Sequence, residues 1–454
     1  MCPNKNSRPS KRSRKRLRTR SHPSIYTAGE VFSDGTNIDL VRGSDGSGFE
    51  LHYFDGDKII VGDAVEAAGK MFFPRKFDRR VELVRLPSPS SPFGTITTLF
   101  AEARQLFVRF GFSAEVAFAT TIFCCATWFT DILPTAPCLI ISGATLEAGL
   151  LLDIISCIAR RSLLISEFSR GALSVLPVGL QPTLVIAVEN LSKASMALFR
   201  TSNRRRAYLP VNGELTDISC AKAIHASQIP NAAAIDPDAL HIDLLPSVSR
   251  LETLDHETRQ KIADQFQSRF LDYRCRNILR VRYSDFDVPD LGSSTRMVAR
   301  ALGAAIEGAS DLQRELTSLF HGHEESQYEN NFTELRYVVV EALLDHLHND
   351  QGARLSVGTI TGTVNAILLG RGDATKRKAR EIGAELKALG VRKKRRHDGY
   401  SFELDDAFSG HVHKLAHGMG VFASREPHPG CAHCREIDDT KTHPGEKEVE
   451  KTAE

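Results

Sequence analysis

The chain of 454 residues lacks a run of about twenty apolar residues, the length a membrane-spanning helix requires. Its best candidate, Val116–Thr130, is an uncharged stretch of fifteen residues that ends at Asp131, with Pro134 and Pro137 close behind. It reads as a buried helix, so no membrane partner is expected. No G-x-S-x-G elbow and no H-E-x-x-H pair occurs, which excludes serine hydrolases and zinc proteases built on those signatures. No Cys/His pair has a spacing legible as a nucleophile with its base. The nine cysteines follow no pairing rhythm and no secretory leader is legible, so a reducing, cytoplasmic setting is expected. Acidic residues are missing from the first twenty positions, which carry nine Lys/Arg. The far end is the reverse, with seven acids against four bases over Arg435–Glu454, so the net charge of +2 hides a strong polarity.

What is present divides the chain into segments. Residues 1–24 are polar and basic with almost nothing to bury, and are expected to be disordered. The Lys11–Arg18 stretch suits a nucleic-acid arm and a solubilising tail equally on charge. Residues 25–86 alternate in short stretches between Asp-Gly and Gly-Ser turns, the pattern of a small antiparallel β module. Pro87–Pro92 has a linker composition. Ile96–Gly111 and Ala114–Phe129 read as helices, and from Ile140 to Ile224 apolar strands alternate with helices, implying a parallel sheet. Further helices are expected over Asp255–Arg276 and Ser294–Phe320, with His321–Asn331 as a second, polar linker. Residues 332–418 form another compact segment, and 419–454 reads as a disordered tail with a C-x-x-C pair.

Within 95–320, Pro137–Gly143 is a buried strand ending in glycine, with Leu150–Ala159 a helix beyond it. A phosphate-binding loop requires G-x-x-x-x-G-K-[ST], in which backbone N–H groups and the lysine hold phosphates and the hydroxyl binds Mg²⁺. Counted from Gly143, the second glycine falls on Ala148, the lysine on Gly149 and the hydroxyl on Leu150, while Glu147 puts negative charge where phosphate would lie. At the end of the second core strand, Pro182–Ile186, the metal-binding and catalytic acids fall on Ala187 and Val188. The segment nonetheless resembles the AAA-type P-loop ATPases of bacterial mobile elements and primase–helicase-like proteins. Ala126–Pro137 resembles the stretch before the P-loop, and Ser202–Tyr208 with Ala221–Ile224 the stretch after the second strand. The resemblance implies a P-loop NTPase-like parallel sheet with a helical lid, carrying no catalytic residues over. Arg296 matches a sensor-arginine position or is a salt-bridged surface residue.

In 332–418, Glu334–His348, a helix after Ser356 through Leu369, and Ala374–Leu389 read as three helices. Gly390 ends the third, and a hairpin turning at Asp398-Gly399 follows. This is the layout of a winged helix-turn-helix domain. Between Arg371 and Arg396 eleven Lys/Arg face three acids. Lys376, Arg377, Arg380 and Lys387 would lie on or beside the third helix, with Arg392, Lys393, Lys394, Arg395 and Arg396 on the wing, so double-stranded DNA is the expected partner. Such domains also bind proteins, and that alternative stays open.

Cys431 and Cys434 form one knuckle. A structural zinc site needs four ligands, with His428, His433, His411, His413 or His417 available to complete it, but their spacing is irregular. No cofactor or metal is therefore assigned. The expectation is a non-catalytic P-loop-like DNA-binding protein, an accessory or regulatory factor in the replication or maintenance of a mobile element. It would assemble with copies of itself or with an active ATPase subunit. A nucleotide-dependent subunit whose activity needs that partner, and a protein-binding scaffold, are the alternatives.

Overall fold

The computed structural model describes residues 24–43, 48–56, 58–75, 82–211, 214–229, 235–236, 239–246, 254–331, 334–349, 354–373, 375–391, 394–396, 399–421, 428 and 430–435. The basic arm 1–23, Arg392, Lys393 and the acidic end beyond Arg435 lie outside them. The chain divides into two compact units, 1–320 and 321–454.

Among the described residues of the first unit, seven strands precede the helices: β1 (Ser24–Thr27), β2 (Gly29–Val31), β3 (Asn37–Arg42), β4 (Phe49–Phe54), β5 (Ile59–Gly62), β6 (Val65–Ala67) and β7 (Lys70–Pro74). They form an antiparallel sheet β2-β3-β4-β5 and a second sheet β1-β7-β6 in which β1 runs parallel to β7. Ile38, Leu40 and Leu51 share one apolar cluster with Ile140, Leu163 and Leu184, so these strands belong to the same core as the parallel sheet. The Pro87–Pro92 stretch is strapped to that body. Ser90 Oγ lies 2.7 Å from His52 Nε2, Ser91 Oγ 2.7 Å from Ser268 Oγ, and the Arg42 N–H donates to Pro87 O at 2.9 Å.

Two helices follow, α1 (Ile96–Arg109) and α2 (Ala114–Thr127). The apolar stretch at 116–130 is indeed internal: Ala117–Thr127 is buried throughout and Trp128 Nε1 donates to Ile158 O. Among the described residues no helix is long and apolar enough to cross a membrane. Next come β8 (Cys138–Gly143), α3 (Thr145–Ile158), β9 (Ser162–Ile165), α4 (Arg170–Val175), β10 (Thr183–Val188), α5 (Lys193–Thr201), β11 (Tyr208–Val211), β12 (Glu214–Asp217), β13 (Lys222–Ala226) and β14 (Leu240–Leu244). Five of these strands make a parallel sheet in the order β14-β8-β13-β10-β9, with β11 and β12 as a separate hairpin. The mixed α/β fold with a parallel sheet is thus present as expected.

Helices α6 (His256–Arg282), α7 (Ser293–Ala304) and α8 (Ser310–Asn331) follow, the last running past residue 320. The 294–320 stretch is broken by a turn at 305–308, and His321–Asn331 is helix where the polar sequence suggests a linker.

Gly143 is a tight point of the sheet, where β8 meets β14. Its φ is +90°, and a Cβ there would sit 2.1 Å from Leu244 O. Gly143→Ala therefore combines a left-handed backbone, worth about 1–3 kcal/mol, with a clash against main chain. A clear drop in melting temperature is expected, and an unchanged one would remove the packing argument.

The second unit contains α9 (Leu335–Asn349), β15 (Arg354–Ser356), α10 (Val357–Gly370), α11 (Ala379–Ala388), β16 (Lys394–Arg396), β17 (Gly399–Glu403) and α12 (Asp406–Gly418). Tyr337, Val338, Leu343, Ile360, Val364, Ile382, Leu386 and Phe402 are fully buried and tie the helices to the sheet β15-β17-β16. Gly390, at φ +73°, closes α11: its N–H donates to Lys387 O, and that of Val391 to Leu386 O, the pairing of a Schellman cap.

Candidate functional site

The loop expected between Gly143 and the helix at Leu150 is absent. α3 begins at Thr145, five residues earlier than its apolar pattern suggests, so only Ala144 separates it from β8. The positions matched to the phosphate-loop glycine and hydroxyl lie inside this helix and face the core: Ala148 and Leu150 are both buried. The Ala148 N–H donates to Ala144 O at 2.9 Å, a bond that keeps it from any anion. Gly149 is exposed and Glu147 half-exposed. The physical reason for the early start is that Thr145 and Leu146 supply the exposed side of a helix whose buried side is Ala148, Leu151 and Leu152.

Ala187 and Val188 stand at the end of β10, opposite His225 and Ala226 of β13. His225 is buried, and its Nδ1 lies 3.0 Å from Ile141 O. Neither Ala187 nor Val188 offers a carboxylate to coordinate a metal ion. Arg296, the sensor-arginine candidate, is paired to Asp287, with its Nε donating at 2.7 Å.

In the second unit, α11 starts at Ala379 rather than at Ala374, so Arg377 precedes it instead of riding on it. Asn365 clamps this turn, accepting the Arg377 N–H at 2.7 Å and donating to Arg377 O at 3.1 Å. These two bonds hold the connection extended and delay the helix. The Arg377 side chain meets Asp373 at 3.2 Å. Lys376, Arg380 and Lys387 are exposed. Arg380 and Lys387 are seven residues apart on α11 and therefore on one face.

The three acids of the segment are engaged within the unit. Asp373 holds Arg377, Glu385 lies 3.1 Å from Arg336, and Glu381 accepts the Lys378 N–H at 3.0 Å. The expected hairpin is present as β16 pairing antiparallel with β17, and its edge strand β16 spans Lys394, Arg395 and Arg396.

Cys431 and Cys434 come together with two histidines, His348 of α9 and His413 of α12. The sequence pointed to His413 among several candidates but not to His348, which lies sixty-five positions away from it.

A second group that sequence reading missed is ionic. Asp39 of β3 accepts from Arg160 Nη2 at 2.7 Å, from Arg161 Nη2, and from Arg274 Nε at 3.1 Å. All four residues are at most 3% exposed. Arg274 also grips Asp131, with Nη1 at 2.8 Å and Nη2 at 2.5 Å. The available signal was the Arg160-Arg161 doublet set between the apolar ends of α3 and β9.

No known protein family matches the chain, and neither does any curated protein.

Proposed function

We propose that the second unit is a winged helix that binds double-stranded DNA, and that the first is a P-loop-type fold without nucleotide chemistry, serving as a body for assembly. The observation that carries the DNA reading is the placement of cations along one turn–helix–hairpin path. Lys376, Arg380 and Lys387 are exposed while the neighbouring acids are engaged inside the unit. The element order α9-β15-α10-α11-β16-β17 supports it, with α11 as the helix for the major groove and the hairpin as the wing. Fluorescence anisotropy of the whole chain on a mixed duplex at 50 and 200 mM salt tests this. Binding that weakens steeply with salt is expected, because each phosphate contact releases counterions.

For the first unit, the parallel sheet with a glycine at the β8–α3 junction supports descent from a P-loop fold, and the buried Ala148 and Leu150 support the loss of its chemistry. Each charged group that is replaced removes about 1.5–3 kcal/mol of phosphate affinity. Isothermal titration with Mg-ATP should give no binding heat and the chain no turnover. Micromolar Mg-ATP affinity overturns this half of the reading. A role in replication or maintenance of a mobile element belongs to the same proposal.

A further inference from the structure

We infer that His348, His413, Cys431 and Cys434 form a structural zinc site that fastens the C-x-x-C pair to α9 and α12 within the second unit. His348 Nε2 and His413 Nε2 are 3.1 Å apart, Cys431 Sγ is 3.2 Å from His413 Nε2, and Cys434 Sγ is 3.4 Å from His348 Nε2. All four donor atoms fall within 4.8 Å of one another. A tetrahedral ion with Zn–N near 2.0–2.1 Å and Zn–S near 2.3 Å separates its ligands by about 3.3 to 3.8 Å. The three contacts of 3.1 to 3.4 Å are of that order, so the four atoms are gathered closely enough to converge on one ion.

The chemistry of the set selects the ion. Two thiolates and two imidazoles are soft and borderline donors, which suit zinc, and no oxygen ligand is in the group to suit magnesium or calcium. On binding, the two thiols release two protons and the imidazoles bind as neutral rings. Two negative charges then offset the dication, so a neutral centre forms where His413 and Cys434 are each 1% exposed. All four positions are filled by protein, which marks a closed structural site with no place for substrate.

The surroundings orient the ligands. His413 Nδ1 lies 2.7 Å from Ser409 O, which fixes the proton there and turns the Nε2 lone pair toward the other three donors. The knuckle is held by the Cys431 N–H donating to His428 O at 3.0 Å. Three of the other candidate histidines are otherwise engaged: His411 Nε2 with Leu389 O, His433 Nε2 with Asp406 Oδ1, and His428 Nδ1 with the Gly430 N–H. His428 also stacks on the His348 ring at 4.9 Å between centroids. It is a neighbour that steadies a ligand.

The test is metal analysis of the whole chain, purified without chelator, followed by exchange with Co²⁺. About one zinc per chain is expected. The cobalt form should show the visible bands of a tetrahedral ion together with thiolate-to-cobalt charge transfer in the ultraviolet. The double variant Cys431→Ser/Cys434→Ser and the single His348→Ala should each lose metal content at least about tenfold, while His417→Ala, an exposed residue of α12, should keep it. The cobalt spectrum of the unaltered chain decides the matter even if a variant fails to fold. A chain that takes up neither ion, an iron–sulfur spectrum, or cysteine variants that retain full zinc would overturn the assignment. The site does not rest on DNA binding, so a chain that holds zinc and ignores duplexes would sink only the DNA reading.

Discussion

Replacing Asp39 with alanine is expected to unfold most of the first unit, lowering its melting temperature by roughly 10 °C or more or abolishing soluble protein. The carboxylate is the shared acceptor of three buried guanidinium groups, Arg160, Arg161 and Arg274. Removing one partner of a buried pair costs about 3–5 kcal/mol because the other charge stays behind in a low-dielectric site. Here three cations would remain with Asp131 alone, against a total stability of about 5–15 kcal/mol for an ordinary domain. Arg160→Met should cost less than Asp39→Ala. Burial, together with the neighbouring charges of Arg161 and Arg274, already pulls Arg160 down to about 10, so its removal relieves repulsion. Equal effects of the two substitutions in urea titrations would show that the network is not organised around Asp39.

The same site sets an acid limit. Burial alone would raise the Asp39 carboxyl, but the three guanidinium groups outweigh it and hold the acid below its ordinary value of 3.8. Asp131 is likewise lowered, by Arg274 and Arg160 against its own burial. A carboxylate whose folded value is depressed stabilises the fold fully above its unfolded value, and that stability is lost as pH falls further. Unfolding free energy should therefore hold near neutrality and decline below about pH 4. Asp39→Asn, which loses the charge but keeps an acceptor oxygen for the guanidinium groups, should be less stable near neutrality and should flatten that decline.

Much of this architecture is local, and that part is legible in the sequence. The apolar run Cys138–Ser142 before a glycine is β8, the 150–158 stripe is buried on α3, and Gly390 marks the end of α11. Tertiary features are not legible in this way. Counting a phosphate-loop spacing from Gly143 assumes a loop, whereas Thr145, Leu146 and Glu147 continue the helix outward and leave no room for one. The turn held by Asn365 shortens α11 through hydrogen bonds that reach twelve residues along the chain. A proline- and serine-rich stretch looks like a linker until His52 and Ser268 bind it. The histidine that completes the C-x-x-C set comes from another helix. In each case the deciding partner is distant in sequence, and periodicity carries no information about it.

Truncation after His323 is expected to weaken duplex affinity by about two orders of magnitude at 100 mM salt, while the first unit keeps its fold. The cut falls beyond Leu316 and Phe320, the last buried residues of the first unit, so loss of binding would report removal of the basic path and not collapse of the remainder. What stays is the arm Lys11–Arg20, whose charges can bind phosphate only weakly. Within the full chain the two kinds of interaction separate by salt and by sequence. Arg380→Ala, on the exposed face of α11, should cost about 1–3 kcal/mol on a preferred sequence and flatten discrimination among sequences. Neutralising Lys394, Arg395 and Arg396 should instead weaken binding to every duplex alike and reduce the salt slope by about 0.9 for each phosphate no longer neutralised. The contrast follows because base edges carry sequence information and phosphates carry none. Arg377 belongs to neither group, since it precedes the helix and holds Asp373; its substitution should disturb the turn and show first in stability. If the truncated chain binds duplexes as tightly as the whole one, the helix–hairpin path is a protein-docking surface and the DNA reading fails.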